Sequence, residues 1–109
     1  MFVSFKELPD DARIWIYQSN RPFTDEELQE LNVRLADFLD EWTAHGSSLK
    51  ASYQIPYNRF LVIGLDQSQA EASGCSIDAS VHFIQELQNQ YDVDLLDKMN
   101  VTFKQGEHL

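Results

Sequence analysis

The chain has 109 residues, enough for one domain spanning 1–109 whose core needs no disulfide or metal to hold it together. Its 18 acidic and 8 basic residues give a formal net charge of −10, which repels phosphate backbones and anionic lipid headgroups. We therefore expect no nucleic acid and no membrane among its partners, and no apolar run reaches the roughly 20 residues that span a bilayer.

The opening residues and the single cysteine indicate where the protein works. The stretch FVSFKELPDD has neither the basic segment nor the long apolar run of a secretory signal. Cys75 has no second cysteine with which to form an internal disulfide. The sequence therefore predicts a cytoplasmic protein with a reduced thiol.

The first half of the chain contains a predicted strand and the clearest predicted helix. Residues 12–19, ARIWIYQS, are rich in β-branched and aromatic side chains, as strands are. Thr24 and Glu27 have the spacing of a capping box, which marks the start of a helix. The apolar stripe that follows recurs at three- and four-residue steps and consists of Leu28, Leu31, Leu35, Phe38, Leu39 and Trp42. We expect this helix to end at Gly46, with His45 in its last turn.

The second half of the chain predicts two central strands, a second helix and a closing strand. Residues 49–57 alternate apolar with polar side chains, whereas 60–66, FLVIGLD, are almost all apolar. A helix follows from SGCSID, with a buried stripe formed by Ile77, Val81, Ile84, Leu87 and Tyr91. Residues 99–104, MNVTFK, alternate again and predict the last strand, while 1–9 and 105–109 lie outside these elements.

The resulting order, β-α-β-β-α-β, predicts the fold class. It is the order of the ferredoxin-like split βαβ arrangement, an α+β fold with a four-stranded antiparallel sheet and two helices on one face. In this fold the strands lie side by side in the order 4-1-3-2, so the loops after the first and third strands lie at opposite ends of the sheet. One end should bring His45 close to Cys75. The other end should gather a second group of polar residues, Asn20, Arg21, Asn58 and Arg59.

Two interpretations of the segment GCSID stay open. In the first, the segment is only the start of a helix, because Ser76 suits the N-cap and Asp78 suits the helix dipole. As a site, the backbone amides of residues 74–78, from Gly74 onward, would bind an anion or make Cys75 partly thiolate. The carboxylate of Asp78 opposes a second negative charge there.

A nucleophilic cysteine also needs a base within hydrogen-bonding reach. His45 is the candidate, and a helix-capping role is its structural alternative. His82 lies seven residues along the helix from Cys75, about 10 Å of rise away, and is expected to pair with Asp78 instead. His108 lies in the tail. A cysteine-dependent enzyme would therefore use Cys75 with His45.

The opposite end of the sheet offers two arginines, each preceded by an asparagine. A guanidinium group binds carboxylates and phosphates through two parallel hydrogen bonds, so Arg21 and Arg59 are candidates for recognising an acidic or phosphorylated ligand. The alternative is structural. Asn20 and Asn58 would then form turns, and the arginines would balance the acidic first turn of the helix.

Familiar catalytic and cofactor motifs are absent from the sequence. It has no GxxxxGK[ST] phosphate-binding loop, no GxGxxG, no paired cysteines, no HExxH and no GxSxG. We therefore expect no cofactor and no metal site, and whether the protein is an enzyme stays open.

Three blocks of the sequence resemble a known family: RIWIYQSNRPFTDEE, YNRFLVIGLDQSQAEASGCSIDASVHFI and DLLDKMNVTF. The family consists of small uncharacterised bacterial proteins often labelled ABC transporter ATPase, and the resemblance covers nearly the whole chain. Because the nucleotide-binding motifs that the label implies are absent, the resemblance groups the chain without implying an activity.

Three functional hypotheses follow. The chain binds a small ligand or anion at the cysteine end, with or without catalysis. Alternatively it is an interaction module that forms a homodimer or docks a partner protein through an exposed sheet face or an edge strand. In the third hypothesis its arginine end recognises an acidic peptide or a phosphorylated ligand. We expect a ligand-binding or protein-interaction role rather than an enzyme, because no catalytic geometry follows from the sequence.

Overall fold

The structure is a computed structural model that describes residues 1–68 and 70–95 together with the backbone of 101–104. It is a mixed α and β structure with two helices and antiparallel sheets, as predicted. The helices are α1 (Asp25–Glu41) and α2 (Gly74–Tyr91), and Phe5–Glu7 form a short 3-10 helix. The strands are β1 (Arg13–Gln18), β2 (Thr43–Ala44), β3 (Ser47–Ser48), β4 (Lys50–Gln54), β5 (Phe60–Asp66) and β6 (Val101–Lys104).

The larger sheet has the order β4-β5-β1-β6, with antiparallel pairing at each step. Its register sets Ile63 opposite both Trp15 and Tyr53, so these three residues share one face. Residues 99 and 100 of the predicted last strand lie outside the described residues. The short strands β2 and β3 form a separate hairpin.

Both helices bury apolar side chains against the same face of the sheet. Leu31, Leu35 and Leu39 of α1 are fully buried, as are Ile84 and Leu87 of α2. They belong to one core cluster with sheet residues Trp15, Tyr17, Leu61, Ile63 and Leu65. Each large apolar side chain buried in this way contributes about 1.5–3 kcal/mol, so this cluster is what holds the two helices on the sheet.

The buried stripe of α2 is offset from the prediction. Ile77 and Val81 are only half-buried, whereas the rest of the predicted stripe is buried. The helix additionally buries Ser76, Ser80 and Phe83. Phe83 stacks on Phe38 of α1 with ring centroids 4.4 Å apart, so the helix is turned further toward α1 than its apolar pattern alone indicates.

The N-terminal segment, residues 1–9, covers part of the second face of the sheet. A Cβ added to Gly64 of β5 would stand 2.6 Å from Leu8 Cδ1 and 3.4 Å from Phe5 Cε1. The sequence predicts no element in this segment and leaves the sheet face exposed. That expectation is wrong around Gly64, where the side chains of Phe5 and Leu8 lie over β5.

The same segment pairs with the outer edge of β4. The amide of Ala51 donates to Met1 O over 3.0 Å, and the amide of Val3 donates to Ala51 O over 2.9 Å. The α-ammonium of Met1 donates to the backbone oxygens of Leu39 and Leu49, over 3.2 and 2.7 Å. A positive charge therefore lies at the C-terminal end of α1, whose last turn has no basic residue of its own.

Helix α1 ends at Glu41 rather than at the predicted Gly46. His45 and Gly46 instead form the tight turn of the β2–β3 hairpin, with φ angles of 53° and 81°. Two-residue hairpin turns of this kind need positive φ at both positions. The prediction is wrong here because the apolar pattern runs on through Trp42 and Ala44, which fits a strand as well as a helix.

Candidate functional site

A buried hydrogen bond joins the end of α1 to the start of α2. The indole Nε1 of Trp42 donates to the backbone oxygen of Ser76 over 2.8 Å. A groove of about 540 Å³ lies beside this contact, and both His45 and Cys75 line it. The structure thus brings the two residues to one groove, and a catalytic role for either stays a prediction.

The start of α2 differs in detail from the expected one. Its N-cap is Ser73, whose hydroxyl accepts from the amide of Ser76 over 3.1 Å, while Ser76 Oγ accepts from the amide of Ser73 over 2.7 Å. Ser76 is therefore not the cap, because the chain is already helical at Gly74. The amide of Ile77 donates to Ser73 O, so two of the amides expected to bind an anion already have partners.

The thiol of Cys75 is free and exposed, and Gly74 and Asp78 beside it are exposed as well. His82 Nε2 lies 3.8 Å from Glu86 Oε2, so it pairs one turn toward the C-terminus rather than with Asp78 as expected. A reagent or partner can therefore reach Cys75. The tail histidine of the sequence lies outside the described residues.

The guanidinium group of Arg21 bonds inside the molecule. Nη1 and Nη2 donate to the two carboxylate oxygens of Glu27 over 2.8 and 2.9 Å, and Nη2 also donates to Tyr91 O over 2.6 Å. The first pair joins the turn after β1 to the first turn of α1. The second contact sets a cation at the C-terminal end of α2, so these contacts support the structural alternative for Arg21.

Arg59 is held in a similar way at the same end of the sheet. Its Nε and Nη2 donate to the backbone oxygens of Ser19 and Asn20, over 3.0 and 3.3 Å. The side-chain oxygen of Asn20 accepts from the amide of Asp94 over 2.9 Å. The residues of the predicted arginine end do lie close together, and hydrogen bonds between their loops hold them there. Both guanidinium groups donate to internal acceptors, which argues against a site for an external anion.

The pair formed by Arg21 and Glu27 predicts a loss of stability in acid. The hydrogen bonds from Arg21 lower the pKa of the Glu27 carboxyl from its ordinary value of 4.5 to about 2 in the folded chain. Because the folded pKa lies below the unfolded one, the ion pair stabilises the fold fully above about pH 4.5. That contribution is lost as the pH falls toward about 2.

Arg21→Gln should remove most of this pH dependence. Urea unfolding at a series of pH values should show a smaller difference between neutral and acidic conditions for this variant than for the wild-type chain. Arg13→Gln is the matched control, because Arg13 lies over the ring of Trp15 at 4.6 Å and should leave the pH dependence intact. Parallel pH profiles for the wild-type chain and Arg21→Gln would contradict the prediction.

A second groove, which no sequence pattern indicates, runs beside the outer edge of β4. It has a volume of about 660 Å³ and is lined by the N-terminal segment, α1, β4 and the turn that follows. Leu28 and Asn32 of α1 line one side, Phe5 lines the other, and Tyr53 of β4 lies between them. We call this feature the β4 groove.

The edge of β4 is paired at Ala51 and open at Tyr53. The amide and carbonyl of Ala51 point away from β5 and bond to residues 1–3. In an antiparallel pair every second residue points its backbone groups to the same side, so the amide and carbonyl of Tyr53 also point away from β5. The N-terminal chain has left the edge by this point, because Ser4 caps the 3-10 helix Phe5–Glu7. The backbone N–H and C=O of Tyr53 therefore face the β4 groove.

Aromatic contacts fix the side chain of Tyr53 in this groove. Its ring stacks on that of Phe2 with centroids 5.6 Å apart, and its hydroxyl donates to Asn32 Oδ1 over 2.6 Å. Partial burial raises the pKa of the Tyr53 phenol above its ordinary value of 10.0. The groove therefore has a preformed aromatic side.

The far end of the β4 groove carries a strained and exposed tyrosine. In the turn Pro56–Asn58, Tyr57 has φ 58° and Asn58 has φ 56°. Asparagine adopts this left-handed region readily, whereas a bulky aromatic residue does so at a cost of about 1–2 kcal/mol. Tyr57 is 88% exposed, and its ring meets that of Phe60 edge-on at 6.3 Å. The exposed side chain of Tyr57 therefore contributes little to the stability of the fold.

Comparison of the chain with protein-family models, with curated proteins and with solved structures finds no match. Within residues 1–68 and 70–95, no group of three or more His, Cys, Asp or Glu is placed to hold a metal ion. None of the helices in the described part of the chain is both long enough and apolar enough to cross a membrane.

Proposed function

We propose that the protein is an interaction module that docks an extended segment of a partner protein in the β4 groove. The observation that carries this proposal is the backbone of Tyr53, whose amide and carbonyl face the groove from an edge strand. Unpaired edge groups are the template for strand addition, in which main-chain hydrogen bonds supply affinity and side-chain pockets supply specificity.

The fold that we propose for this module is the ferredoxin-like split βαβ arrangement. Support comes from the order β-α-β-β-α-β of the long elements and from the sheet order β4-β5-β1-β6. We also propose that it works in the cytoplasm, where a single unpaired cysteine stays reduced.

Two features of the β4 groove suit an extended ligand. A residue placed opposite Tyr53 would exchange two hydrogen bonds with it, each contributing about 0.5–1.5 kcal/mol net. The residue opposite Tyr53 would point its side chain toward the wall lined by Leu28 and Asn32, and its two neighbours would point theirs toward the wall lined by Phe5. The open stretch of edge is short, so we expect weak and reversible docking.

A second copy of the chain suits the groove less well. Two β4 strands paired about Tyr53 would set Ile55 of one copy against Ala51 of the other, where residues 1–3 already pair. Each copy also carries a net charge of −10, so association would bring like charges together. We therefore assign the groove to a partner of different sequence.

Selection of displayed random peptides on the folded protein tests this function. Enriched peptides should bind the wild-type chain and should bind Gln54→Trp at least about tenfold more weakly, because Gln54 lines the groove and the new ring fills it. Gln85→Trp, at an exposed position of α2, is the matched control and should keep the affinity. Equal binding by the two variants would contradict the proposal, and so would a dimeric mass that Gln54→Trp converts to a monomer.

A second candidate function is a cysteine-dependent reaction or the binding of an anion. The observation that favours it is the groove shared by the exposed Cys75 and by His45, with Trp42 and Phe38 supplying apolar lining. Nucleophilic catalysis by a cysteine needs a base at hydrogen-bonding distance, and His45 would have that role.

His45→Asn tests this pair while preserving the turn, because asparagine accepts the positive φ of the position. If His45 acts as the base, alkylation of Cys75 by iodoacetamide near neutral pH should slow by about tenfold or more. His82→Asn is the control, since His82 pairs with Glu86. An unchanged alkylation rate in His45→Asn would remove the enzyme hypothesis.

A further inference from the structure

We infer that the segment docked in the β4 groove is cationic and sets a lysine or arginine over the ring of Tyr57. This inference rests on the proposed docking function and adds the chemistry of the partner. Two features at the end of the groove carry it: an open aromatic face and an excess of carboxylates around that face.

The aromatic face is that of Tyr57. Its two neighbours, Pro56 and Asn58, both line the β4 groove, and we expect an extended segment that leaves the groove at this turn to pass the ring. The side chain is 88% exposed, and its left-handed backbone holds it at the tip of the turn. An aromatic face attracts an ammonium or guanidinium group through its negative quadrupole.

The first acidic segment beside this ring is the start of α1. The amide of Phe23 donates to Asn58 O over 2.7 Å, which sets the beginning of the helix against the turn. The first turn of α1 contains Asp25 and Glu26, and both are exposed. Their carboxylates therefore lie at the same end of the molecule as Tyr57.

The second acidic segment follows α2 and contains the exposed residues Asp92 and Asp94. The amide of Asp94 donates to Asn20 Oδ1 over 2.9 Å, and the backbone oxygen of Asn20 accepts from Arg59 Nη2 over 3.3 Å. Because Arg59 follows Tyr57 by two residues, this chain of contacts ties the second acidic segment to the same turn.

The balance of charge at this end favours a cation. At this end five carboxylates outnumber the two guanidinium groups of Arg21 and Arg59, and they belong to Asp25, Glu26, Glu27, Asp92 and Asp94. The residues that line the groove itself are uncharged, so charge discriminates at the end of the groove rather than along it. The net charge of −10 also speeds the approach of a cationic segment and repels an acidic or phosphorylated one.

The test uses the peptide most enriched in the selection above, synthesised with lysine, serine or glutamate at both ends. The lysine form should bind the wild-type chain more tightly than the serine form, and the glutamate form should bind most weakly. Tyr57→Asn should weaken the lysine form by about threefold and leave the serine form unchanged. The same variant should unfold at a higher urea concentration, because asparagine suits this backbone, so weaker binding would not come from a damaged fold.

The outcomes separate the two proposals. Equal affinity of the three forms, or an equal loss of all three in Tyr57→Asn, overturns the cationic partner and leaves the docking groove in place. A selection that yields no peptide weakened by Gln54→Trp overturns the docking function itself. Tyr57→Phe keeps an aromatic face, so it is the control and should retain the preference for lysine.

Discussion

Replacing Trp42 by alanine is expected to lower the free energy of unfolding by about 3–5 kcal/mol. Trp42 is 4% exposed, and its ring lies 6.0 Å from that of Trp15 and 5.7 Å from that of Phe38. The variant leaves a cavity where α1 ends and α2 begins, and it removes the hydrogen bond to Ser76 O. Urea unfolding followed by far-UV circular dichroism measures the loss.

Trp42→Phe separates the packing from the hydrogen bond. It keeps most of the ring and loses the N–H, so we expect a loss of about 1–2 kcal/mol, which can be measured even where the alanine variant does not fold. Val33→Ala, at a position that is 60% exposed, is the control and should be close to neutral. A loss below about 1 kcal/mol in Trp42→Ala would show that this contact does not join the helices.

Gly64→Val is expected to displace the N-terminal segment from the sheet, with a loss of about 1–3 kcal/mol. A Cβ at this position would stand 2.6 Å from Leu8 Cδ1 and 3.2 Å from Ile14 Cδ1, and valine adds two methyl groups beyond it. The contact with Leu8 is the tightest, so Leu8 is the residue that must move first, whereas Ile14 belongs to β1. Trypsin should then cleave after Lys6 faster than in the wild-type chain, as mass spectrometry of the digest would record.

A double variant that includes Leu8→Ala tests whether Leu8 lies over Gly64. The shorter side chain removes the atom that a Cβ at Gly64 meets first. Gly64→Ala should therefore cost less free energy in the Leu8→Ala background than in the wild-type chain. Additive losses in the double variant would mean that Leu8 does not lie over Gly64.

The start of α1 is easier to predict from this sequence than its end. Thr24 and Glu27 form the capping box that their spacing predicts, because both partners lie within one turn of each other. The end of α1 depends on how β2 pairs with β3, and that pairing is not visible in the apolar pattern of Trp42 and Ala44. The segment 1–9 escapes prediction for a similar reason, since its contacts are with β4 and β5 far along the chain.

The β4 groove could not be predicted because its sides come from distant segments. Phe5 and Leu28 line it from the N-terminal segment and from α1, and neither residue carries a local signal that relates it to β4. The strain at Tyr57 is equally hidden, since a tyrosine before an asparagine does not predict positive φ. The meeting of His45 and Cys75 at one groove could be predicted, because the order of elements places the end of α1 beside the start of α2. The position of His45 in the β2–β3 turn, rather than in the last turn of the helix, could not.

The backbone amide of Tyr53 gives the most direct test of the docking function. In the free chain this N–H faces the β4 groove with no partner among the described residues, so it should exchange with solvent faster than the amide of Ser52, which faces β5. Adding a peptide from the selection should slow exchange at Tyr53 by about tenfold or more and leave Ser52 unchanged. A peptide that binds the chain while exchange at Tyr53 stays the same would contradict the proposal.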